Sequence, residues 1–284
     1  MSVLLAEKQG PVTILTMNRP ERHNALSAEM SQALSGAVVE FREDPEQRVL
    51  IITGAGDKAF CSGADLKAMR ETQKSEAGEA PPSGNYSPRL PMARAPDMAG
   101  LAACEKPVIA AINGLAVGGG LEIALCCDIR VAADDAWFQL PEPGHGFLAG
   151  VAAVALPRLL PFGVAMDMML AQERLHAPDA YRLGLVQAVT SRDNLIAEAM
   201  RRAQTMAKSS PSALWGTKQV LRYWRDLQLQ EHHRYYEAVV HRVLLSGDMI
   251  EGIRAFAEKR DKTFRAGWPD PFERARALSG AAED

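Results

Sequence analysis

Two glutamates sit where an acid needs a reason. Glu122 comes two residues after the run Gly118-Gly119-Gly120, inside the otherwise apolar stretch GLAVGGGLEIALCCD (114–128). Glu142 lies in FQLPEPGHGFLAG (138–150), an extended stretch that turns through Pro143, Gly144 and Gly146. Two carboxylates carried on separate loops into one pocket can share a proton transfer, one accepting while the other donates. Each also has a plain reading. Glu122 favours the positive end of its own helix, and Glu142 is an ordinary loop acid.

The glycines suggest what such a pair would act on. VIAAING (108–114) reads as a strand and LEIALCCD (121–128) as a buried helix, which puts the glycines at a strand-to-helix turn. Glycine there leaves backbone N–H groups open to a ligand, and the helix N-terminus adds partial positive charge. A phosphate loop would need a lysine after the last glycine, and the spacing does not match the dinucleotide fingerprint. An oxyanion hole fits better, with donors that meet a negative oxygen present only in the transition state. The second donor is expected in KAFCSGADLKAM (58–69), where the Ala64 N–H follows a predicted strand and Asp65 reads as the cap of a short helix. Cys61, beside that loop, has no base implied by sequence and is not read as a nucleophile. His145 reads as a loop histidine, with a pocket-lining role as the alternative.

These groups need elements to hold them. Val12, Ile14 and Leu15 carry a strand, and Ser27 caps a helix through AEMSQALSGAVVEFRED (28–44). RVLIITG (48–54), KPVIAAING (106–114) and DIRVAA (128–133) read as buried strands. Strands separated by helices predict an α/β core with crossover connections. Residues 71–100 are rich in Pro, Gly, Ser and charge and read as a long loop, either a functionless insertion or a lid or pocket wall. From residue 193 four segments have helical periodicity, separated by breaks such as SSP and SGD. The expected organisation is an α/β core over 1–192 and a helical region over 193–284 that serves oligomerisation and pocket closure.

Composition narrows the function classes. The 284 residues are 47% hydrophobic, enough for a substantial core, and the net charge of −3 gives no global basic field for nucleic acid or an anionic membrane. No apolar run is long enough to span a bilayer, and the first residues lack a signal-peptide pattern. Cys61, Cys104, Cys126 and Cys127 form no C-x-x-C pair, so neither a disulfide framework nor a metal site is expected. Reduced thiols in a cytoplasmic setting are the expectation.

The stretches NRPERHNALS, AFCSGADLKAM, KPVIAAINGLAVGGGLEIALCCDIRVAADDAWFQLPE, RLGLVQAV and FAEKR, in this order, resemble the enoyl-CoA hydratase/isomerase family, the crotonase superfamily. The resemblance covers residues 3–265. It implies a crotonase-like spiral of β-β-α units with a helical C-terminal region, assembled as a homo-trimer or hexamer. It also implies an acyl-CoA thioester substrate, with coenzyme A entering as part of the substrate and no separate cofactor. By the same resemblance, Ala64 and Gly119 donate to the thioester oxygen, and Ala64, Asp65, Leu66 and Lys67 line the CoA site. Glu122 and Glu142 match the catalytic pair of the hydratases, and Phe256 and Lys259 match C-terminal positions that contact CoA. Retention of both acids points to addition of water to a trans-2-enoyl-CoA, giving a 3-hydroxyacyl-CoA. Double-bond isomerisation, dehydration of a specialised acyl-CoA and non-catalytic acyl-CoA binding are the alternatives. RNA binding is disfavoured, because EKRDKTFRAG is only partly basic and no aromatic residues interleave a basic patch. The chain departs from the pattern at Pro143, where the family hydratases carry an aliphatic residue, and at Val151, Ala152 and Ala153, where they carry small glycines, positions near the acyl pocket in relatives.

Overall fold

The computed structural model describes residues 2–67, 98–226 and 248–263. The predicted loop therefore lies outside the described residues except for 98–100, as does the predicted helix QEHHRYYEAVVHRVLLS.

The chain opens with an antiparallel hairpin of β1 (Leu4–Gln9) and β2 (Val12–Met17). Helix α1 (Ala28–Glu43) comes next, with the Ser27 hydroxyl accepting from the Met30 N–H at 3.2 Å as the capping pattern predicts. Its apolar stripe of Met30, Leu34, Val38 and Phe41 faces the core. Strands β3 (Val49–Gly54) and β5 (Val108–Ile112) are buried at every position. Continuous apolar runs of this kind belong to strands covered on both faces.

From β3 onward the chain alternates between two sheets. β3, β5 and β7 (Ile129–Ala133) join a six-stranded sheet in the order β1-β2-β3-β5-β7-β10, with β10 at Ala188–Thr190. β4 (Ala59–Cys61), β6 (Leu115–Val117) and β8 (Trp137–Gln139) join a four-stranded sheet in the order β4-β6-β8-β9, with β9 at Leu175–His176. Each successive strand pair thus places one strand in each sheet. Helix α2 (Gly119–Cys126) comes after β6, and α3 (Gly150–Leu159) after β8, beyond a 3-10 turn at Glu142–His145. This is the stepped β-β-α arrangement that the resemblance implies.

The register of the smaller sheet aligns the segments that leave its strands. Cys61 pairs with Ala116, and Val117 pairs with Gln139, all in parallel ladders. The segments leaving β4, β6 and β8 therefore emerge side by side, at the strand ends where α/β sheets bind ligands.

The remaining helices are α4 (Phe162–Met166, continued by a π-helical turn at Asp167–Ala171), α5 (Ala177–Arg182), α6 (Leu195–Ala207), α7 (Pro211–Asp226) and α8 (Asp248–Glu258). The helical C-terminal region opens with α6, which lays Leu195, Ala199 and Ala203 against Ile14, Ile51 and Ile109 of the larger sheet. α7 is pinned to the core by Lys218 and Arg222, which both reach the Asp128 carboxylate, at 2.6 and 2.9 Å.

Candidate active site

The three consecutive glycines have separate tasks. Gly118 has φ +55°, a left-handed conformation, and a side chain there would stand 2.8 Å from Glu142 Oε1. Gly120 lies so close to β4 that a methyl would overlap the Cys61 carbonyl. Between them, the Gly119 N–H donates to no acceptor among the described residues, and neither does the Ala64 N–H. The two donors are brought together by Gly63, whose backbone abuts Gly119. Leu26 and Met98 stand over Gly119 and form apolar walls there.

The Ala64 segment is fixed from behind by the NRPERHNALS loop. Leu26 N–H donates to the Gly63 carbonyl at 2.8 Å, Asp65 N–H to the Leu26 carbonyl at 3.1 Å, and Ser62 N–H to the His23 carbonyl at 3.0 Å. Asn24 is fully buried with φ 54°, and its side-chain amide donates to the Ala55 and Ala59 carbonyls while its Oδ1 accepts from the Arg19 N–H. Arg19 forms a largely buried ion pair with Asp65 at 2.9 Å and also donates to the Ala25 carbonyl. The described role of Asp65 is thus pairing with Arg19, and the helix it was expected to cap lies outside the described residues beyond Lys67.

Glu122 stands in the first turn of α2 and is buried. Its Oε1 accepts from the Ala152 N–H at 3.1 Å, and the N–H groups of Val151 and Gly150 also bear on it. Helix α3 has no side-chain cap of its own, so Glu122 acts as the anion at its N-terminus. Burial raises the Glu122 carboxyl above its ordinary value, and these three N–H groups oppose the rise. Val151 and Ala152, which depart from the family pattern, thus contribute backbone to the site.

Glu142 begins the 3-10 turn after β8. The turn is closed by the Phe147 N–H on the Glu142 carbonyl, at 2.9 Å, and by Gly146 at φ +76°. Its Oε2 is buried and finds no donor among the described residues. Burial, then the nearby charge of Glu122, pushes its carboxyl up to about 8, and only its own backbone N–H opposes this. The two acids therefore share one electrostatic site with opposite support. Glu122 is cradled by a helix terminus, whereas Glu142 has a buried oxygen with no donor among the described residues, so the proton favours Glu142.

The other expected residues lie around this centre. Leu66 is half-buried against Phe147, Met249 and Ile253. Lys67 is exposed beside it. Phe256 on α8 is exposed and packs edge-to-face with the His145 ring, centroids 5.7 Å apart. Lys259 is exposed with φ 52° just past the end of α8. His145 Nδ1 lies 3.0 Å from the Pro141 carbonyl, so that nitrogen carries the proton, and burial lowers the pKa of the ring. Burial pushes the Cys61 thiol up to about 12, which leaves no thiolate for nucleophilic attack.

Sequence reasoning gave no role to Arg19, Asn24, Gly63 or Met98. The first two belong to the NRPERHNALS stretch, which entered only as part of the family resemblance. Met98 fell at the end of the long predicted loop. Their contacts depend on distant residues and leave no periodic trace.

The sequence matches the enoyl-CoA hydratase/isomerase family profile over residues 7–267. It is 39% identical over 266 residues to a carnitinyl-CoA dehydratase of Salmonella heidelberg, spanning 91% of this chain and 96% of that protein. The fold superimposes on a carnitinyl-CoA hydratase from Mycobacterium avium with TM-score 0.79 and 33% identity, covering 94% of this chain and all of that one. It also matches an enoyl-CoA hydratase from Mycobacterium tuberculosis H37Rv with TM-score 0.72 and 33% identity, over 86% of this chain and all of that one.

Proposed function

The chain belongs to the enoyl-CoA hydratase/isomerase family, and from that premise we propose that it adds water reversibly across the Cα=Cβ bond of a trans-2-enoyl-CoA. The observation that carries this reading is the unequal glutamate pair beside two unengaged backbone donors. An acid–base pair poised in opposite protonation states is what a hydro-lyase needs.

In the proposed step Glu122 takes a proton from water as the oxygen bonds to Cβ. The π electrons move toward the thioester and form an enolate, whose oxygen accepts from the Ala64 and Gly119 N–H groups. Glu142 gives its proton to Cα as the carbonyl reforms. One proton has then passed in effect from Glu142 to Glu122, and exchange with solvent resets the pair. Leu66, Lys67, Phe256 and Lys259 are proposed to hold the CoA portion.

A second reading is supported by the 39% identity to a carnitinyl-CoA dehydratase. It is the same chemistry run in the direction of water loss on carnitinyl-CoA. The test is turnover of crotonyl-CoA, followed by loss of its conjugated-enone absorbance, beside dehydration of carnitinyl-CoA. Glu122→Gln and Glu142→Gln serve as controls, each expected to fold and to lose about 10²–10⁴-fold in turnover. Faster turnover of carnitinyl-CoA selects the second reading. A glutamine variant with near-full activity removes that residue from the mechanism.

A further inference from the structure

Gly252 and Gly146 interlock. A methyl group at Gly252 would overlap the carbonyl of His145, and one at Gly146 would overlap the peptide between Asp248 and Met249. Backbone meets backbone across this contact, with no side chain between. Three more contacts hold α8 on the turn. Phe147 packs with Met249 and Ile253, the Phe256 and His145 rings meet edge-to-face, and the Lys262 ammonium donates to the Gly144 carbonyl.

The turn clamped in this way is the one that starts at Glu142. Glu122 is located by N–H groups bonded to its carboxylate. Glu142 has no such fastening on Oε2 among the described residues. Its front rests over Gly118, and its place is otherwise set by the backbone behind it. Glycine inside a helix is unfavourable, and Gly252 has a steric reason that a second helical glycine lacks: a methyl at Gly216 in α7 would meet nothing within 4 Å among the described residues.

We propose that α8 is the positioning element of Glu142, with Gly252 and Gly146 as positioning residues that let the helix press directly on the catalytic turn. This rests on the reading of Glu142 as an acid–base group. The charged or titratable groups around that turn are Glu122 on α2, His145 within the turn, Asp248 at the start of α8 and Lys262 beyond it.

The test compares full-length Gly252→Ala with Gly216→Ala. One readout needs no substrate. Infrared spectra of each protein, minus the same protein carrying Glu142→Gln, isolate the Glu142 carboxyl as pH is varied. It is expected to titrate near 8 in the wild type and in Gly216→Ala. In Gly252→Ala it should titrate about a unit or more lower, because a displaced turn admits water. The second readout is turnover. Gly252→Ala is expected to lose about 10–100-fold in kcat with little change in KM, and to cost nothing further in the Glu142→Gln background. An unchanged infrared titration, or an equal loss in both backgrounds, overturns the proposal. If the wild type turns over no acyl-CoA offered, the reaction assignment fails and the infrared readout still decides this one. If Gly252→Ala does not fold, Met249→Ala loosens the same contact without changing charge. It is expected to shift the titration in the same direction, and no shift overturns the proposal.

Discussion

At the scale of single residues, the site is a contrast between two chemically identical side chains. Glu122 is buried and Glu142 is half-buried with its Oε2 buried, and burial raises both carboxyls. Three helix N–H groups favour the anion of the first, while the second has an oxygen with no partner among the described residues. The consequence for stability has a definite sign. Folded Glu142 holds its proton up to about pH 8, whereas the unfolded chain releases it near the ordinary 4.5. Its effect on the fold is therefore neutral below 4.5 and becomes increasingly unfavourable up to about 8. Glu142→Gln is expected to be more stable than the wild type by an order of a few kcal/mol at pH 8, with the difference shrinking toward pH 5. Calorimetry at the two pH values checks this, and equal melting differences would place the strain elsewhere. On the proposed reading, turnover is expected to fall as pH rises past about 8, where Glu142 loses the proton it would donate.

At the scale of elements, the site is assembled from turns, each braced by a different part of the chain. The N-terminus of α3 braces Glu122, and α8 braces the Glu142 turn. The NRPERHNALS loop braces the Ala64 segment. The Arg19–Asp65 pair ties that loop to the donor segment, with the side chains 17% and 9% exposed. Removing one member of a pair so far from water leaves a poorly solvated charge. Arg19→Ala is therefore expected to cost roughly 3 kcal/mol in urea unfolding and to lower kcat by letting Ala64 drift. Arg19→Lys should recover part of both. A full-activity Arg19→Ala would separate the pair from the donor geometry.

At the scale of the whole molecule, two sheets are wound so that successive strand pairs step along both at once. This stepping carries residues from β4, β6 and β8 to one edge. The surface of the described residues also has an apolar stripe. Phe162, Met166 and Leu170 recur at helical spacing and are 66%, 42% and 65% exposed. A stripe of this kind is a face that assembly would cover. A homo-trimer or hexamer is the expected state, measured as mass by light scattering, and a strictly monomeric mass would contradict it.

The sequence alone determined a good deal. Runs such as VLIITG and VIAAI declared buried strands because apolar, mostly β-branched residues follow one another without polar alternation, and Ser27 declared a helix start because a hydroxyl there has an orphan N–H to accept from. The motif order determined the family, and the resemblance singled out both glutamates as candidates. The tertiary structure decided what the glutamates are like. Nothing near Glu122 in sequence shows that the N-terminus of α3 bears on it, and nothing near Glu142 shows that α8 supports it from behind. A carboxyl's proton affinity depends on the dielectric and the dipoles within a few ångströms, and those are supplied by residues far along the chain. Local propensity is written in neighbouring residues, whereas the field at a buried acid exists only once distant backbone has been packed around it.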